Sequence, residues 1–200
     1  MQKAHGLDLT AARHVLVALG ADWVPQLLNE SEWRKVDFST AFQYKKWANK
    51  ELLDIGEQQF SILPESDATF FVRILNHTTV VDSLFISRIL GKPEKYSGDN
   101  TVETPTLSEL RETMNQNDSW LVQYVGAASK EELKRVVSFK FVDGDTGQMS
   151  VEEILLHLLT HGSNHRGMAS RVLAENNLER PKDTFTRYLH QLEPSRRVAG

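Results

Sequence analysis

Residues 154–167 read Ile-Leu-Leu-His-Leu-Leu-Thr-His-Gly-Ser-Asn-His-Arg-Gly. Just before this stretch, Ser150 and Glu153 have the spacing of a capping box, in which each side chain binds a free backbone N–H of the other residue. We therefore predict a long helix over 151–175. Side chains four residues apart lie on nearly the same face of a helix. One face of this helix accordingly carries three histidines: His157, His161 and His165.

These histidines have the spacing of metal ligands, because two imidazoles one helical turn apart can bind the same ion. His157 and His165 lie ~12 Å apart along the helix axis, so one ion cannot bind all three. The pair is therefore either His157 with His161 or His161 with His165. His77 is the candidate for a further ligand, since it lies in the apolar stripe of another predicted helix. A hydrogen-bonded core histidine is the other interpretation of that position.

Three histidine ligands would leave one coordination position open for water or substrate, which is typical of a catalytic site. The residue after His161 is Gly162, whereas a zincin protease has its catalytic glutamate at that place. The sequence therefore excludes a zincin but not other metal-dependent enzymes.

Helical periodicity also dominates the chain before this helix, from residue 38 onward. We predict a first helix over 38–60 and a second that Ser66 or Asp67 caps and that Gly91 and Pro93 end. The repeating positions of the first helix are Tyr44, Trp47, Ala48, Glu51, Leu52 and Ile55. The inward stripe of the second is Phe70, Ile74, His77, Val81, Leu84, Phe85 and Arg88.

A polar loop over 92–104 leads to a second capping box, Thr106 with Glu109, which predicts the beginning of a third helix. Ser129 and Glu132 predict one more short helical turn. The apolar face of the third helix consists of Leu107, Leu110, Met114, Leu121 and Val125.

Residues 135–149 change from a helical to a strand-like pattern, with a turn cluster over 143–147. We predict a small β-hairpin here; a calcium loop is disfavoured because Gly147 occupies a ligand position and no glutamate closes the loop. A short helix is predicted in the tail after Arg180. Four long amphipathic helices, with a hairpin before the last of them, predict an all-α protein with a four-helix bundle.

Composition limits the function classes. With 200 residues, of which 40% are hydrophobic, the chain can fold as one domain. Its net charge of −4 gives no general attraction to a phosphate backbone, so we expect no nucleic-acid partner. No apolar run approaches the ~18 residues of a membrane span, so we expect no membrane partner. The absence of cysteine excludes disulfides and cysteine-based metal sites, and we expect a cytoplasmic protein.

The first 37 residues differ from the rest, and we divide the chain into an N-terminal extension, 1–37, and a bundle domain, 38–200. The short apolar run over 15–19 and the nearby Pro25 do not fit a secretory signal. A surface helix with a linker and a mis-assigned start near Val36 both remain open. We expect metal binding without this extension.

Three stretches resemble the DinB/YfiT-like family of predicted metalloenzymes. They are residues 42–49 (Phe-Gln-Tyr-Lys-Lys-Trp-Ala-Asn), residues 74–78 (Ile-Leu-Asn-His-Thr) continuing to Asp82 and Phe85, and residues 154–167. The resemblance implies a four-helix bundle, often dimeric. It also implies a divalent metal ion bound by three histidines, which are His77, His161 and His165 here, and it leaves His157 as a core or outer residue. In this chain Asn176 and Asn177 replace the usual glycine after the last long helix.

Some members of that family use the metal to activate a low-molecular-weight thiol, as in bacillithiol transferases and mycothiol-dependent maleylpyruvate isomerase. Others are known only as damage-inducible proteins. The resemblance thus predicts a metal-dependent thiol transferase or hydrolase, or alternatively a non-catalytic metal-binding protein of the damage or stress response that acts as a homodimer. Zinc, nickel and iron all suit imidazole ligands. Any thiol would arrive as a cosubstrate beside a small-molecule substrate, and no catalytic residue is assigned.

Overall fold

The computed structural model describes residues 37–141 and 144–197. The predicted extension over 1–37 therefore lies outside the described residues, except for its last position. The elements in chain order are α1 (Phe38–Gln59), a 3-10 turn (Phe60–Ile62), α2 (Glu65–Leu90), α3 (Leu107–Ala127), α4 (Lys130–Lys134), β1 (Val136–Lys140), β2 (Thr146–Ser150), α5 (Val151–Glu175), α6 (Phe185–Leu192) and a 3-10 turn (Pro194–Arg196).

Side chains at the helix ends explain most of these boundaries. Asp37 caps α1 by accepting a hydrogen bond from the Thr40 backbone N–H at 3.0 Å. Both predicted capping boxes are confirmed, at the beginnings of α3 and α5. Gly91 ends α2 with a φ of +62°, a conformation that glycine adopts without steric cost. At the end of α5, Asn177 adopts a left-handed φ of +56° and takes the place of a glycine.

The predicted cap of α2 is wrong. The helix begins at Glu65 with Pro64 as its N-cap, so Ser66 and Asp67 lie inside the first turn. Proline fixes its own φ and lacks an N–H, which makes it a suitable residue at the beginning of a helix. Among the residues that the structure describes, no side chain caps this end.

The four long helices form a bundle. Helices α1 and α2 each pack against both α3 and α5, which closes a ring of four. The predicted hairpin is confirmed, with Val136 opposite Ser150 and Lys140 opposite Thr146. The predicted short helix in the tail is α6, whose Tyr188 is buried. The all-α class and the four-helix bundle are thus confirmed, and within the described ranges no helix is long and apolar enough to cross a membrane.

Two apolar cores fill the bundle, one at each end. The hairpin-side core contains Phe42, Val81, Phe85, Ile89, Leu121, Val137, Phe139, Val151, Ile154, Leu155 and Leu158. The distal core contains Leu52, Leu53, Leu63, Phe71, Val72, Leu75, Leu110, Met114, Ala169, Val172 and Leu173. Along each long helix, polar residues come between the two cores. We call this layer the polar belt: Lys45, Asn49, His77, Asp82, Asp118, His161, His165 and Arg166.

The polar belt changes which faces point inward. Phe70, predicted to be in the core, is 44% exposed, and its neighbour Phe71 is buried instead. In α1, Lys45 and Asn49 are buried, whereas Tyr44, Trp47 and Ile55 of the predicted stripe are only half-buried. A search for apolar periodicity misplaces a face when the inward positions themselves are polar.

Gly56 of α1 allows the distal core to close. A Cβ at this position would lie 2.5 Å from Cζ of Phe71, whose side chain is fully buried. We expect Gly56→Ala to lower the free energy of unfolding by roughly 1–2 kcal/mol, because overpacking outweighs the helix propensity gained. Gly167→Ala is the matched control: a Cβ there has no neighbour within 4 Å among the described residues, so stability should rise by up to ~1 kcal/mol. Equal effects of the two substitutions in urea unfolding would contradict this account of Gly56.

Candidate metal centre

Helices α2 and α5 bring three histidines together in the polar belt. Nε2 of His161 lies 3.1 Å from Nε2 of His77 and 3.1 Å from Nε2 of His165. One ligand atom from each ring lies within 4.8 Å of the other two, a grouping that could hold a metal ion. The structure thus brings together His77, His161 and His165, the set that the resemblance implied. Their role as metal ligands stays a prediction.

The loop between α2 and α3 orients His77. Nδ1 of His77 lies 2.8 Å from the backbone carbonyl of Asp99 and donates its proton to that oxygen. In a neutral imidazole this leaves Nε2 with its lone pair free toward the other two histidines. Asn100 accepts a hydrogen bond from the amide of Asn76 and donates one to the Arg73 carbonyl at 3.2 Å, and these contacts fix the loop on α2.

The three imidazoles cannot satisfy one another by hydrogen bonding. Each close contact of two Nε2 atoms needs one donor, but Nε2 of His161 faces two partners at once. Among the described residues, Nδ1 of His161 and Nδ1 of His165 are buried without a hydrogen-bond partner. Nitrogen ligands about 2.0–2.1 Å from a tetrahedral zinc ion stand roughly 3.3 Å apart, which is close to the observed spacing. The donor set therefore fits a divalent cation.

His157 lies beside this group but outside it. Its ring stacks on His161 with a centroid distance of 5.2 Å and packs against Phe85 at 5.3 Å. Burial lowers the pKa of His157, so the ring is neutral and packs as an aromatic side chain. Of the two pairs that the helix spacing allowed, the structure thus favours His161 with His165.

Comparisons with known proteins assign the family of the chain. The model of the DinB family matches residues 33–196. The chain belongs to the DinB family. It is also similar to the crystal structure of a DinB-like protein from Bacillus cereus ATCC 10987, with a TM-score of 0.49 and 19% identity, covering 72% of this chain and 93% of that one. No curated protein matches the sequence.

Electrostatics keep two of the grouped histidines of this DinB-family chain, His161 and His165, neutral. Burial, and then the neighbouring His165 and His77, lower the pKa of His161 to about 3. Burial also lowers the pKa of His165, and the nearby His77 adds to that effect. Neutral imidazoles have the free lone pair that a metal ligand needs.

A buried lysine lies next to the histidine group in the polar belt. Nζ of Lys45, whose side chain is only 2% exposed, donates to Asp82 at 2.6 Å and to Asp118 at 2.8 Å. Asn49 donates a further hydrogen bond to Asp118 at 2.8 Å. Burial alone would lower the pKa of Lys45, but the two carboxylates outweigh burial and raise it, so the lysine stays charged.

One lysine cannot fully neutralise two carboxylates. Asp118 has a second donor in Asn49, whereas Lys45 is the one described donor to Asp82. Burial raises the pKa of Asp82 to about 6; Lys45 opposes this shift, Asp118 adds to it, and the more distant Arg166 opposes it weakly. The acidity of Asp82 therefore differs between the folded and the unfolded chain.

This difference predicts a pH dependence of stability. Because the pKa of Asp82 is about 6 in the folded chain, against an ordinary value of 3.8, the folded state binds this proton more tightly than the unfolded chain does. The Asp82 contribution to stability is therefore greatest below pH 4 and is lost as the pH rises to about 6. We expect the free energy of unfolding, wild type minus Asp82→Asn, to fall by roughly 1–3 kcal/mol between pH 4 and pH 6. Urea titrations with a chelator present measure it, and a flat or rising difference would contradict the assignment.

Arg166 extends the polar belt toward the C-terminal tail. Its Nε donates to Asp183 at 2.7 Å and its guanidinium donates to Asn49 at 3.3 Å, although only 3% of the residue is exposed. Tyr44 also donates to Asp183. Burial, and then this contact with Asp183, raise the pKa of Tyr44 to about 12, so its hydroxyl keeps its proton.

Sequence reasoning did not assign Lys45, Asp118 or Arg166 to the interior. A signal was present for Lys45, because Phe42, Lys45, Asn49 and Leu52 follow one another at helical spacing. The asparagine and the lysine interrupt the apolar pattern at the positions where the belt crosses α1.

Proposed function

We propose that His77, His161 and His165 bind one divalent metal ion and that this DinB-family protein is a metal-dependent enzyme of the thiol-dependent transferase or hydrolase type. The observation that carries the proposal is the convergence of three Nε2 atoms, with two contacts of 3.1 Å. A divalent ion held there would lower the pKa of a thiol or of water and so supply a nucleophile near neutral pH.

Residues of the chain itself would hold the ion and orient its ligands. His77 is fixed by the Asp99 carbonyl, and its side chain is 20% exposed, so a small molecule can reach the histidine group from solvent. The two buried carboxylates of the described chain, Asp82 and Asp118, both bind Lys45 and are not free to act as general bases. Without cysteine, the chain needs a thiol that arrives as a cosubstrate.

A thiol-transfer assay tests the enzymatic part. Protein loaded with zinc, nickel or iron is mixed with several low-molecular-weight thiols and a chromogenic aryl halide. We expect at least one pairing in which the wild type is about tenfold or more faster than His165→Ala, a difference of about 1.4 kcal/mol in the barrier. Chelator-treated wild type is the control and should fall to the rate of the variant.

If no pairing exceeds the background rate while the wild type still binds metal, the alternative applies, namely a non-catalytic metal-binding protein of the damage or stress response.

We also propose a cytoplasmic homodimer that takes a small-molecule substrate. Sedimentation of the full chain, with and without added metal, tests the dimer.

A further inference from the structure

A large cavity lies between α5 and the C-terminal segment 180–197. Its volume is about 1210 Å³, which is above the ~300–1,000 Å³ typical of small-ligand pockets. Helix α5 contributes small residues to the wall, namely Ser163, Gly167 and Ser170. The C-terminal segment forms the opposite wall.

This cavity is separate from the histidine group. Successive residues of an α-helix are rotated by about 100°, so residues two apart lie on roughly opposite faces. Ser163 follows His161 by two positions, and Gly167 follows His165 by two positions. The cavity and the three Nε2 atoms therefore lie on opposite sides of α5.

The cavity is strongly cationic, although the whole chain has a net charge of −4. Its acidic lining residue, Asp183, already accepts hydrogen bonds from Arg166 and Tyr44. A further lining cation, Arg187, is paired with Glu51 at 3.2 Å. Three exposed lining cations have side chains without a partner among the described residues: Arg180, Lys182 and Arg197.

Hydroxyl groups of the wall add hydrogen-bond donors for an anion to these positive charges. Hydroxyls of Ser163, Ser170 and Thr186 line the cavity, and hydroxyls and guanidinium groups together bind carboxylate and phosphate oxygens well. Arg166 forms a fixed part of the wall, because its contacts with Asp183 and Asn49 hold it in place. The concave shape suits a small molecule better than the surface of a macromolecule.

We propose that this cavity is a binding site for a small organic polyanion, whose charge is carried by carboxylate or phosphate groups. The excess of three unpaired cations predicts a ligand with two or more negative charges. The site does not depend on the metal proposed above, because it lies on the other face of α5.

Titration calorimetry of the full chain at constant ionic strength tests the site, with pyrophosphate as the phosphate probe and citrate as the carboxylate probe. We expect saturable binding of at least one probe, and the preferred probe identifies the class of anion. The double substitution Arg180→Ala with Lys182→Ala should weaken binding about tenfold or more. The matched control, Lys130→Ala with Lys134→Ala, removes the same charge from exposed positions of α4 and should leave binding unchanged.

Two further variants test whether probe binding depends on the shape of the cavity and on the histidine group rather than on net charge. Gly167→Leu leaves the charge unchanged. Because Gly167 lines the cavity and a Cβ there has no described neighbour within 4 Å, the leucine side chain would occupy part of the cavity. It should weaken binding as well. His161→Ala should bind the probes like the wild type. The proposal is overturned if neither probe binds saturably, if the control pair loses as much affinity as the cavity pair, if Gly167→Leu binds normally, or if His161→Ala abolishes binding.

Discussion

His161→Ala should abolish the proposed binding of a divalent ion. His161 is the middle residue of the group, since its Nε2 lies 3.1 Å from Nε2 of both His77 and His165. Loss of an outer hydrogen-bond partner of a metal ligand costs roughly 10–100-fold in affinity, and loss of a ligand should cost more. We expect metal content after purification to fall close to zero, and an added metal ion should no longer raise the melting temperature.

His157→Ala is the matched control, one turn earlier on the same helix. Its ring stacks on His161 but is not one of the three grouped histidines, so the metal content should stay near that of the wild type. His77→Ala and His165→Ala should behave like His161→Ala. Elemental analysis of the four variants decides the assignment, and metal loss at His157 with none at His165 would overturn it.

Lys45→Met should destabilise the fold more than any surface substitution. The variant leaves Asp82 and Asp118 buried without their shared cation, and breaking a buried ion pair in this way costs about 3–5 kcal/mol. Lys46→Met removes the same charge from the next position, where the side chain is exposed and donates to Ser119, and should change stability by less than about 0.5 kcal/mol.

A rescue experiment separates lost charge from lost shape. Adding Asp82→Asn and Asp118→Asn to Lys45→Met removes both unpaired charges and should restore part of the free energy of unfolding. Chemical denaturation at pH 7 measures all the variants. If Lys45→Met unfolds at the same urea concentration as Lys46→Met, the ion pairs of Lys45 do not stabilise the fold as described.

Local signals predicted most of the fold. The capping boxes at Thr106 and Ser150 placed two helix beginnings correctly, because such a box depends on residues only three positions apart. Gly91 likewise marked the end of α2, because a glycine at a helix end is a local signal. The cap of α2 was misplaced because a proline N-cap has no side-chain hydrogen bond to mark it, whereas Ser66 and Asp67 resemble caps in any sequence.

The candidate site was only partly predictable. Helical spacing limited the metal pair to two choices, and the grouping of His77 with both His161 and His165 favours one of them. The partners of Lys45 could not be predicted from spacing, since Asp82 and Asp118 lie 37 and 73 positions further along the chain. Interactions over such separations depend on how the helices pack, and periodicity within one helix carries no information about that.

The polar belt also determines how far each helix can slide along its neighbours. Leucine-rich layers tolerate an axial shift, because one apolar side chain can replace another with little loss. A shift of α1 by one turn, about 5.4 Å, would move the Lys45 ammonium out of reach of Asp82 and Asp118 and toward an apolar core. The polar belt thus fixes the axial position of each long helix relative to its neighbours. The same axial alignment brings His77 of α2 level with His161 and His165 of α5.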